Sequence, residues 1–586
     1  MCGIAGVIGS ADAREQVLRM IAALAHRGPD GSGIFEFGPG AALGHARLAI
    51  LDLSPAGAQP MTSWDGRWTI VLNGEIFNYR ELRGELGQVP WRSSADTEVL
   101  LEACAAWGIE RALERAIGMF AFALWDARDR ELTLARDRVG EKPLVYVEDG
   151  FEDGRTLAFA SELKALRVFH DGRLDQTALE VYLALGYIPA PLSIFQGVRK
   201  LPAGHLLRWK NGHSRVARWW YPERARPLVS PTPAGRREEA RCLIAGAVGL
   251  RLRSDVPLAL ALSGGVDSTV IAAEAARQGA HIDAFTVIAD GDETDLPYAR
   301  QVAQRFGLRH EVLRARAASA AERVLDAAGH FDEPFADSSA LGSLELARAL
   351  AGRYKVILNG DGGDEAFGGY RHYTRIVLKQ AVKAAAAGVG LVDGNGATGV
   401  YVESKVTFRE GERASLLREH ALNGKVTGAL SGLLEQDEFL SACPRSGALK
   451  HALWTDRHLY LANDLTHKMD MALGVYGLEG RSPFLDHRIL EWTQQLPVGD
   501  LVRGSRKKTL LQGAYREELP KGITTRPKHG FGAPVGAWLA GPLQGLVQEL
   551  LPCPLLDPEL QTHAQGQRLW TLLTFAGWAK RWGASC

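Results

Sequence analysis

The chain has no CxxC pair, no G-x-x-x-x-G-K-[ST] loop, no long uninterrupted apolar run and no excess charge of either sign. Each absence removes a class of function. The six cysteines, Cys2, Cys104, Cys242, Cys443, Cys553 and Cys586, are scattered over 586 residues. That spread excludes a zinc ribbon or a dense disulfide framework and fits a reducing compartment. No segment approaches the roughly 20 apolar residues of a membrane span. The first residues do not form a basic stretch leading into a long apolar one, so a cytoplasmic location with no membrane partner is expected. Lys and Arg total 68, as do Asp and Glu, for a net charge of zero. This balance gives no electrostatic ground for a nucleic-acid partner. Any anionic ligand must be held locally.

What is present is core material. Hydrophobic residues make up 46% and charged residues 23%, a globular composition, and the length calls for at least two domains at roughly 100–200 residues each. From Met1 to about Lys210, short apolar runs (GIAGVIG, ALGHARLAI, WTIVLNGEIFN, FAFALWDARDRELTLARD) alternate with turn residues, and Asp96–Trp107 reads as a helix, which together indicate a sheet-rich α+β unit. Tyr221–Gly235 carries four prolines and reads as an interdomain connection. Beyond it, helix and continuous apolar strand alternate: Arg237–Leu250 helical, Val256–Leu262 strand, Thr269–Arg277 helix, Asp283–Ala289 strand, Pro297–Phe306 helix, Tyr354–Asn359 strand. That alternation implies a parallel sheet covered on both faces. From about Lys379 the pattern is mostly helical, with Ala381–Gly399 read as a connection. The expected domains are residues 2–215 and 236–586.

Two places carry chemistry. Cys2 is either a small buried residue at a strand start or, with Met1 removed, a nucleophile that has its own α-amine as base. Such an amine titrates at about 7.7–8.0, near neutral pH. Arg27-Gly-Pro-Asp30 and Gly44-His-Ala-Arg47 present arginines suited to a carboxylate. Asn73-Gly74-Glu75 ends a strand where a side-chain amide and a backbone N–H can face an oxyanion. Asp96 opens a helix, as an N-cap or as a partner for a ligand ammonium.

Met-Cys-Gly-Ile, HRGPD at His26–Asp30, GHARLAILD at Gly44–Asp52, NGEIFNY at Asn73–Tyr79 and SADTE at Ser94–Glu98 together resemble the glutaminase domain of class II glutamine amidotransferases. The resemblance implies an N-terminal-nucleophile fold of stacked antiparallel sheets between helices, with Cys2 as nucleophile and Asn73 with Gly74 as oxyanion hole. It also implies Arg47, Glu75 and Asp96 as the clamp on glutamine.

The second place is a pair of strand exits. Ser263-Gly-Gly-Val-Asp-Ser268 runs from a strand into a helix, either as a tight turn or as a phosphate cradle of glycine backbone, hydroxyls and helix N-terminus. Asp267 beside such a cradle favours a cation such as Mg²⁺. Gly360-Asp-Gly-Gly-Asp-Glu365 leaves another strand at the edge where parallel sheets bind ligands. With no Walker motif, ATP is expected to lose pyrophosphate instead of transferring its γ-phosphate.

SGGVDS, GDGGDEAFGGY, LTHKMDMALGVYGLEGRSPFLD at Leu465–Asp486 and RPKHGFGAPVGAWL at Arg526–Leu539 are similar to the ATP-pyrophosphatase domain of asparagine synthetases. The resemblance implies an α/β parallel-sheet domain with a helical C-terminal part. It implies Ser263, Gly264, Gly265, Asp267 and Ser268 on pyrophosphate and metal, Leu262, Val287, Asn359 and Gly360 around the nucleoside, and Asp364 as second metal ligand. Lys528 is implied at the α-phosphate. Asp361 stands where some relatives carry the glutamate base, and it can remove a proton directly or through water. The implied reaction amidates the aspartate side chain with glutamine nitrogen and ATP. The rival acceptor is another carboxylate, such as a uronic acid on a polysaccharide. A regulatory protein with a decayed glutaminase and a β-lactam-forming synthetase are disfavoured by Cys2, Asn73, Asp96 and the acidic loops. These motifs do not encode the oligomeric state, and a homodimer is left open.

Overall fold

Alternation along single strands builds the N-terminal half. In β6 (Gly118–Asp126), Phe120, Phe122 and Leu124 face one way and Ala121, Ala123 and Trp125 the other, as the two-residue repeat of a strand requires. All nine residues Gly118–Asp126 but the first are buried, so both faces must be covered. One is covered by helices Tyr79–Leu86, Asp96–Trp107 and Ile109–Arg115. The other is covered by a second sheet.

The computed structural model describes residues 1–38, 40–148, 156–225, 228–289, 293–315, 320–387, 401–402, 405–416, 430, 447–524, 534–551, 553–557, 561 and 563–584. The strands are β1 (Gly3–Ile8), β2 (Gly31–Glu36), β3 (Ala41–Arg47), β4 (Met61–Thr62), β5 (Trp68–Ile76), β6, β7 (Glu131–Arg136), β8 (Val145–Glu148), β9 (Leu157–Ala160), β10 (Val198–Lys200), β11 (His205–Lys210) and β12 (His213–Arg218). They form two six-stranded antiparallel sheets in the orders β10-β8-β9-β1-β3-β2 and β12-β11-β7-β6-β5-β4. Ile4, Leu43 and Phe159 of the first sheet pack against Val71, Ala123 and Leu134 of the second. The outer face of the first sheet carries helix Ala13–Ala23 and shares a core with Trp570 and Trp578 of the C-terminal helix Gln567–Trp582. The two halves of the chain are therefore packed through a common apolar cluster.

Helix Pro233–Arg251 starts inside the proline-rich connection, with Pro233 at its first turn and the Thr232 hydroxyl accepting from Gly235 N. The second half then forms a parallel sheet, β15-β14-β13-β16-β17, from β13 (Leu258–Ala261), β14 (Ile282–Ala289), β15 (His310–Ala315), β16 (Val356–Leu358) and β17 (Glu479–Arg481). Leu258 and Leu260 of β13 pack on one face, Ala259 on the other. Sequence reading missed β17, three residues of Glu-Gly-Arg with no apolar signal. The order reverses between β13 and β16, the switch point at which such sheets bind ligands. SGGVDS follows β13 and GDGGDE follows β16, so both acidic loops meet there. Among the described residues no helix is long and apolar enough to cross a membrane.

Candidate active sites

The register of β1 and β3 pairs Gly3 with Ala46, which carries Cys2 to the end of β3. There Leu48 N donates to the Cys2 sulfur at 3.4 Å. Arg27 Nε donates to Cys2 O at 2.9 Å, and its guanidinium is held by Glu162 at 2.6 Å and by Asp470, from the second half, at 2.8 Å. Burial pushes the Cys2 thiol up, and the neighbouring α-amine pulls it back down. Met1 is buried, its amine lowered to about 5 by desolvation and placed 3.4 Å from Leu478 O.

Asn73 and Gly74 lie inside β5, which runs on to Ile76 where the sequence reading ends the strand at them. The Asn73 side chain is wholly buried, yet neither its oxygen nor its nitrogen has a hydrogen-bond partner. An orphaned buried amide costs about 1–3 kcal/mol unless something else satisfies it. Gly74 has φ +145°, and a Cβ there would sit 2.0 Å from Met119 O. No side chain fits.

Glu75, next along β5, is buried and lies 3.0 Å from Arg481 Nη2 of β17. Burial and then Asp96 push its carboxyl up, and Arg481 opposes them. The Asp96 carboxylate accepts from Ile76 N at 2.7 Å and Thr97 N at 2.9 Å, and burial raises it to about 6. It is thus bound to backbone and still short of charge compensation. Arg47 donates to the carbonyls of Ser54, at 2.9 Å, and Asp52. Carbonyls orient a guanidinium without neutralising it, so its charge stays available to a carboxylate.

At the second site, Gly264 has φ +64°, and a Cβ there would meet Ala299 N at 2.4 Å. Gly265 precedes helix Val266–Arg277 and donates to Ser263 Oγ at 3.2 Å, while Ser263 Oγ and Ser268 Oγ are 3.1 Å apart. Leu262 is buried and its carbonyl accepts from Thr286, and Val287 is part-buried beside the β13 strand end. Asn359 Oδ1 accepts from Asp361 N at 3.0 Å and Ser482 Oγ at 2.6 Å, while its buried Nδ2 is unpartnered. Gly360 and Gly363 make room for Asp267, whose Cβ and Cγ would lie 3.0 and 2.6 Å from a Cβ at those positions.

Asp267 and Asp364 do converge, through a residue that sequence reading missed. Lys508 Nζ donates to both oxygens of Asp267 and is paired with Asp364 Oδ1. The Lys508 backbone is left-handed at φ +50°, a conformation costly for lysine and held by its surroundings. A Cβ on Gly369 would fall 2.2 Å from Lys508 Cε. Two hard carboxylates already bridged by a cation suit Mg²⁺, which takes one or two protein carboxylates and completes its shell with phosphate and water. Among the described residues no group of three metal-ligating side chains exists. Lys528 lies outside the described residues.

A cavity of about 20 Å³ lies where the two halves meet. Its wall holds Met1 and Lys142 from the first half and Asn359, Asp361, Asp470 and Ser482 from the second.

Residues 1–220 match a family model described as a glutamine amidotransferase domain, and residues 239–580 match one described as asparagine synthase. A Mycobacterium tuberculosis protein whose name assigns it provisionally as a glutamine-hydrolysing asparagine synthetase is 31% identical over 99% of this chain and 97% of its own length. Asparagine synthetase [glutamine-hydrolyzing] 1 of Bacillus subtilis is 28% identical over 99% of this chain and 96% of its own. Amidase chyE of Penicillium rubens is 27% identical over 94% and 91%. With the asparagine synthase model covering more than half of its length and a glutamine amidotransferase model covering residues 1–220, the chain belongs to the asparagine synthase family.

Proposed function

We propose that the protein hydrolyses glutamine at Cys2 and uses the ammonia to amidate a carboxylate activated by ATP, with the aspartate side chain as the first assignment. The observation that carries this reading is the direct packing of the two halves beside the nucleophile: Arg27, which donates to Cys2 O, pairs with Asp470, and Asp470 shares a cavity wall with Asp361. Ammonia released into bulk water at neutral pH would be protonated and lost as a nucleophile, so an enclosed route has a chemical purpose. The proposed domains are residues 2–215 and 236–586.

In the first half, with Met1 removed, the α-amine of Cys2 takes the thiol proton and the sulfur attacks the glutamine amide carbon. The Asn73 amide and Gly74 N–H receive the oxyanion, ammonia leaves, and water cleaves the thioester. Arg47 holds the glutamine carboxylate, and Glu75 and Asp96 hold its ammonium. In the second half the acceptor carboxylate attacks the α-phosphorus of ATP and pyrophosphate departs. Ser263, Gly264, Gly265 and Ser268 hold the pyrophosphate, and Leu262, Val287, Asn359 and Gly360 surround the nucleoside. Asp267 and Asp364 would hold Mg²⁺, which neutralises phosphate charge when bound. Ammonia attacks the acyl-adenylate and AMP leaves, with Asp361 or a water accepting the surplus proton. Lys528 is assigned to the α-phosphate.

The test is pyrophosphate release by purified protein across a panel of carboxylates, with glutamine or ammonium as nitrogen source. Turnover with aspartate supports the assignment. Turnover with a sugar acid and none with aspartate would overturn it in favour of another acceptor, a reading that the amidase-named relative keeps on the panel. Cys2→Ala should abolish glutamine use and spare ammonium use, and equal loss of both would contradict the two-site division.

A further inference from the structure

Strand β17 sends a cation from the second half of the chain into the pocket of the first. Arg481 is completely buried. Its Nε donates to Glu479 Oε1 at 2.8 Å, and Nη1 donates to the carbonyls of Arg251 and Arg253 at 3.1 and 2.6 Å. The guanidinium also sits 5.4 Å from the Phe77 ring centroid. These contacts fix the planar fork, leaving Nη2 to face Glu75 at 3.0 Å. That last contact is an ion pair without an aligned N–H···O bond. Glu75 therefore has a cation in contact but no aligned hydrogen bond from it.

The groups acting on Glu75 are Asp96, Arg481, Glu479 and Lys142. Glu75 thus lies among carboxylates with Arg481 as the cation in contact, and the buried amino-terminal group acts on Glu479 as well. An α-ammonium would add positive charge to this set, and β17 supplies the geometry. We propose that Arg481 is a positioning residue of the glutaminase reaction, holding Glu75 ionised and oriented toward the glutamine ammonium, so that the second half of the chain completes the glutamine pocket. This rests on the assignment of Glu75 to the glutamine clamp. It gives β17 a double duty, because the Arg481 carbonyl also accepts from Asn359 N at 3.0 Å, beside the nucleotide loop.

The experiment uses full-length Arg481→Met and Arg481→Lys and follows glutamine hydrolysis across the neutral pH range. Arg481→Met should raise the glutamine KM on the order of tenfold with a smaller change in kcat, and should move the acidic limb of kcat/KM up by about one pH unit. Arg481→Lys should restore most of both. Stabilisation by Mg-ATP, read by thermal shift, should match the parent protein. The double variant Glu75→Gln with Arg481→Met should lose no more than Glu75→Gln alone, since the two act as one unit. An unchanged KM, a raised KM with an unmoved limb, or additive losses in the double variant would each overturn the proposal. If Arg481→Met fails to fold, Arg481→Gln, which keeps N–H donors and removes only the charge, is read by the same criteria. Absence of any glutamine hydrolysis by the parent protein would instead refute the functional reading.

Discussion

Replacing Lys508 by methionine tests whether its ammonium stands in for the divalent cation expected between Asp267 and Asp364. The ammonium is buried and bonded to both carboxylates. Methionine is nearly isosteric and uncharged, so the substitution leaves two facing carboxylates with no counter-ion. Removing one partner of a buried pair costs about 3–5 kcal/mol. Asp267 retains 18% side-chain exposure, so water will screen part of the loss, and about 3 kcal/mol is the expected destabilisation. Acidification should shrink that deficit, because the two carboxylates come to share a proton.

Mg²⁺ without nucleotide gives the discriminating measurement. In the parent protein the ion must displace Lys508, so its stabilising effect should be weak. In Lys508→Met it meets an empty pair of hard ligands, and at tenfold over its dissociation constant it should return about 1.4 kcal/mol. Differential scanning fluorimetry with and without Mg²⁺ therefore should show a lowered first transition for the variant and a larger Mg²⁺ shift than in the parent protein. Equal Mg²⁺ shifts in the two proteins would refute the equivalence of the two cations. A variant as stable as the parent would refute the pairing itself.

Four other outcomes are expected. Asn73→Ala should cut glutamine hydrolysis roughly 10²–10³-fold, yet leave the melting temperature unchanged or raised, since the amide it removes makes no hydrogen bond. Gly74→Ala should lower both the melting temperature and glutamine hydrolysis, because its methyl would meet Met119 O at 2.0 Å with φ at +145°. Burial raises the Asp96 carboxyl to about 6 in the folded protein from its ordinary 3.8. Its folded form therefore holds the proton more tightly between those values, and its contribution to stability falls as pH rises through that window. In the proposed clamp both Asp96 and Glu75 act ionised, so they share the acidic limb and kcat/KM should fall at least about tenfold per pH unit below about 6. Steady-state kinetics should show that limb displaced or lost in Asp96→Asn. N-terminal sequencing of active protein should start at Cys2, and an intact Met1 on fully active enzyme would exclude the α-amine of Cys2 as base.

Sequence reading succeeded where a single short segment carries its own physical reason. Helix Asp96–Trp107 is as expected, because its apolar residues and acidic first turn need no tertiary context. The two-sided burial of β13 and β16 could be read from continuous apolar runs, which only a covered parallel strand tolerates. Asn73 and Gly74 read as a dipeptide ending a strand, whereas β5 runs on to Ile76; the structure adds the orphaned amide and the backbone contact that no side chain could share. The failures have one cause: Lys508 and Arg481 lie 241 and 406 residues from the carboxylates they pair with, Asp267 and Glu75. A lone charged residue in a polar segment carries no local signal of burial. Only the tertiary fold shows that its charge is desolvated.

That distance in sequence has a chemical consequence. Each of the two expected anion-handling sites has its own glycine-shaped backbone, written locally in a short motif. The cation that balances each carboxylate set comes from late in the chain, from the β17 edge strand in one case and from the left-handed Lys508 in the other. The net charge of zero then reflects pairing at buried sites as well as an ordinary surface. Neither site has its charges balanced until the second half of the chain has folded against its partners. The placement of Arg481 makes the ion pair of Glu75 dependent on the packing that brings β17 against the first half.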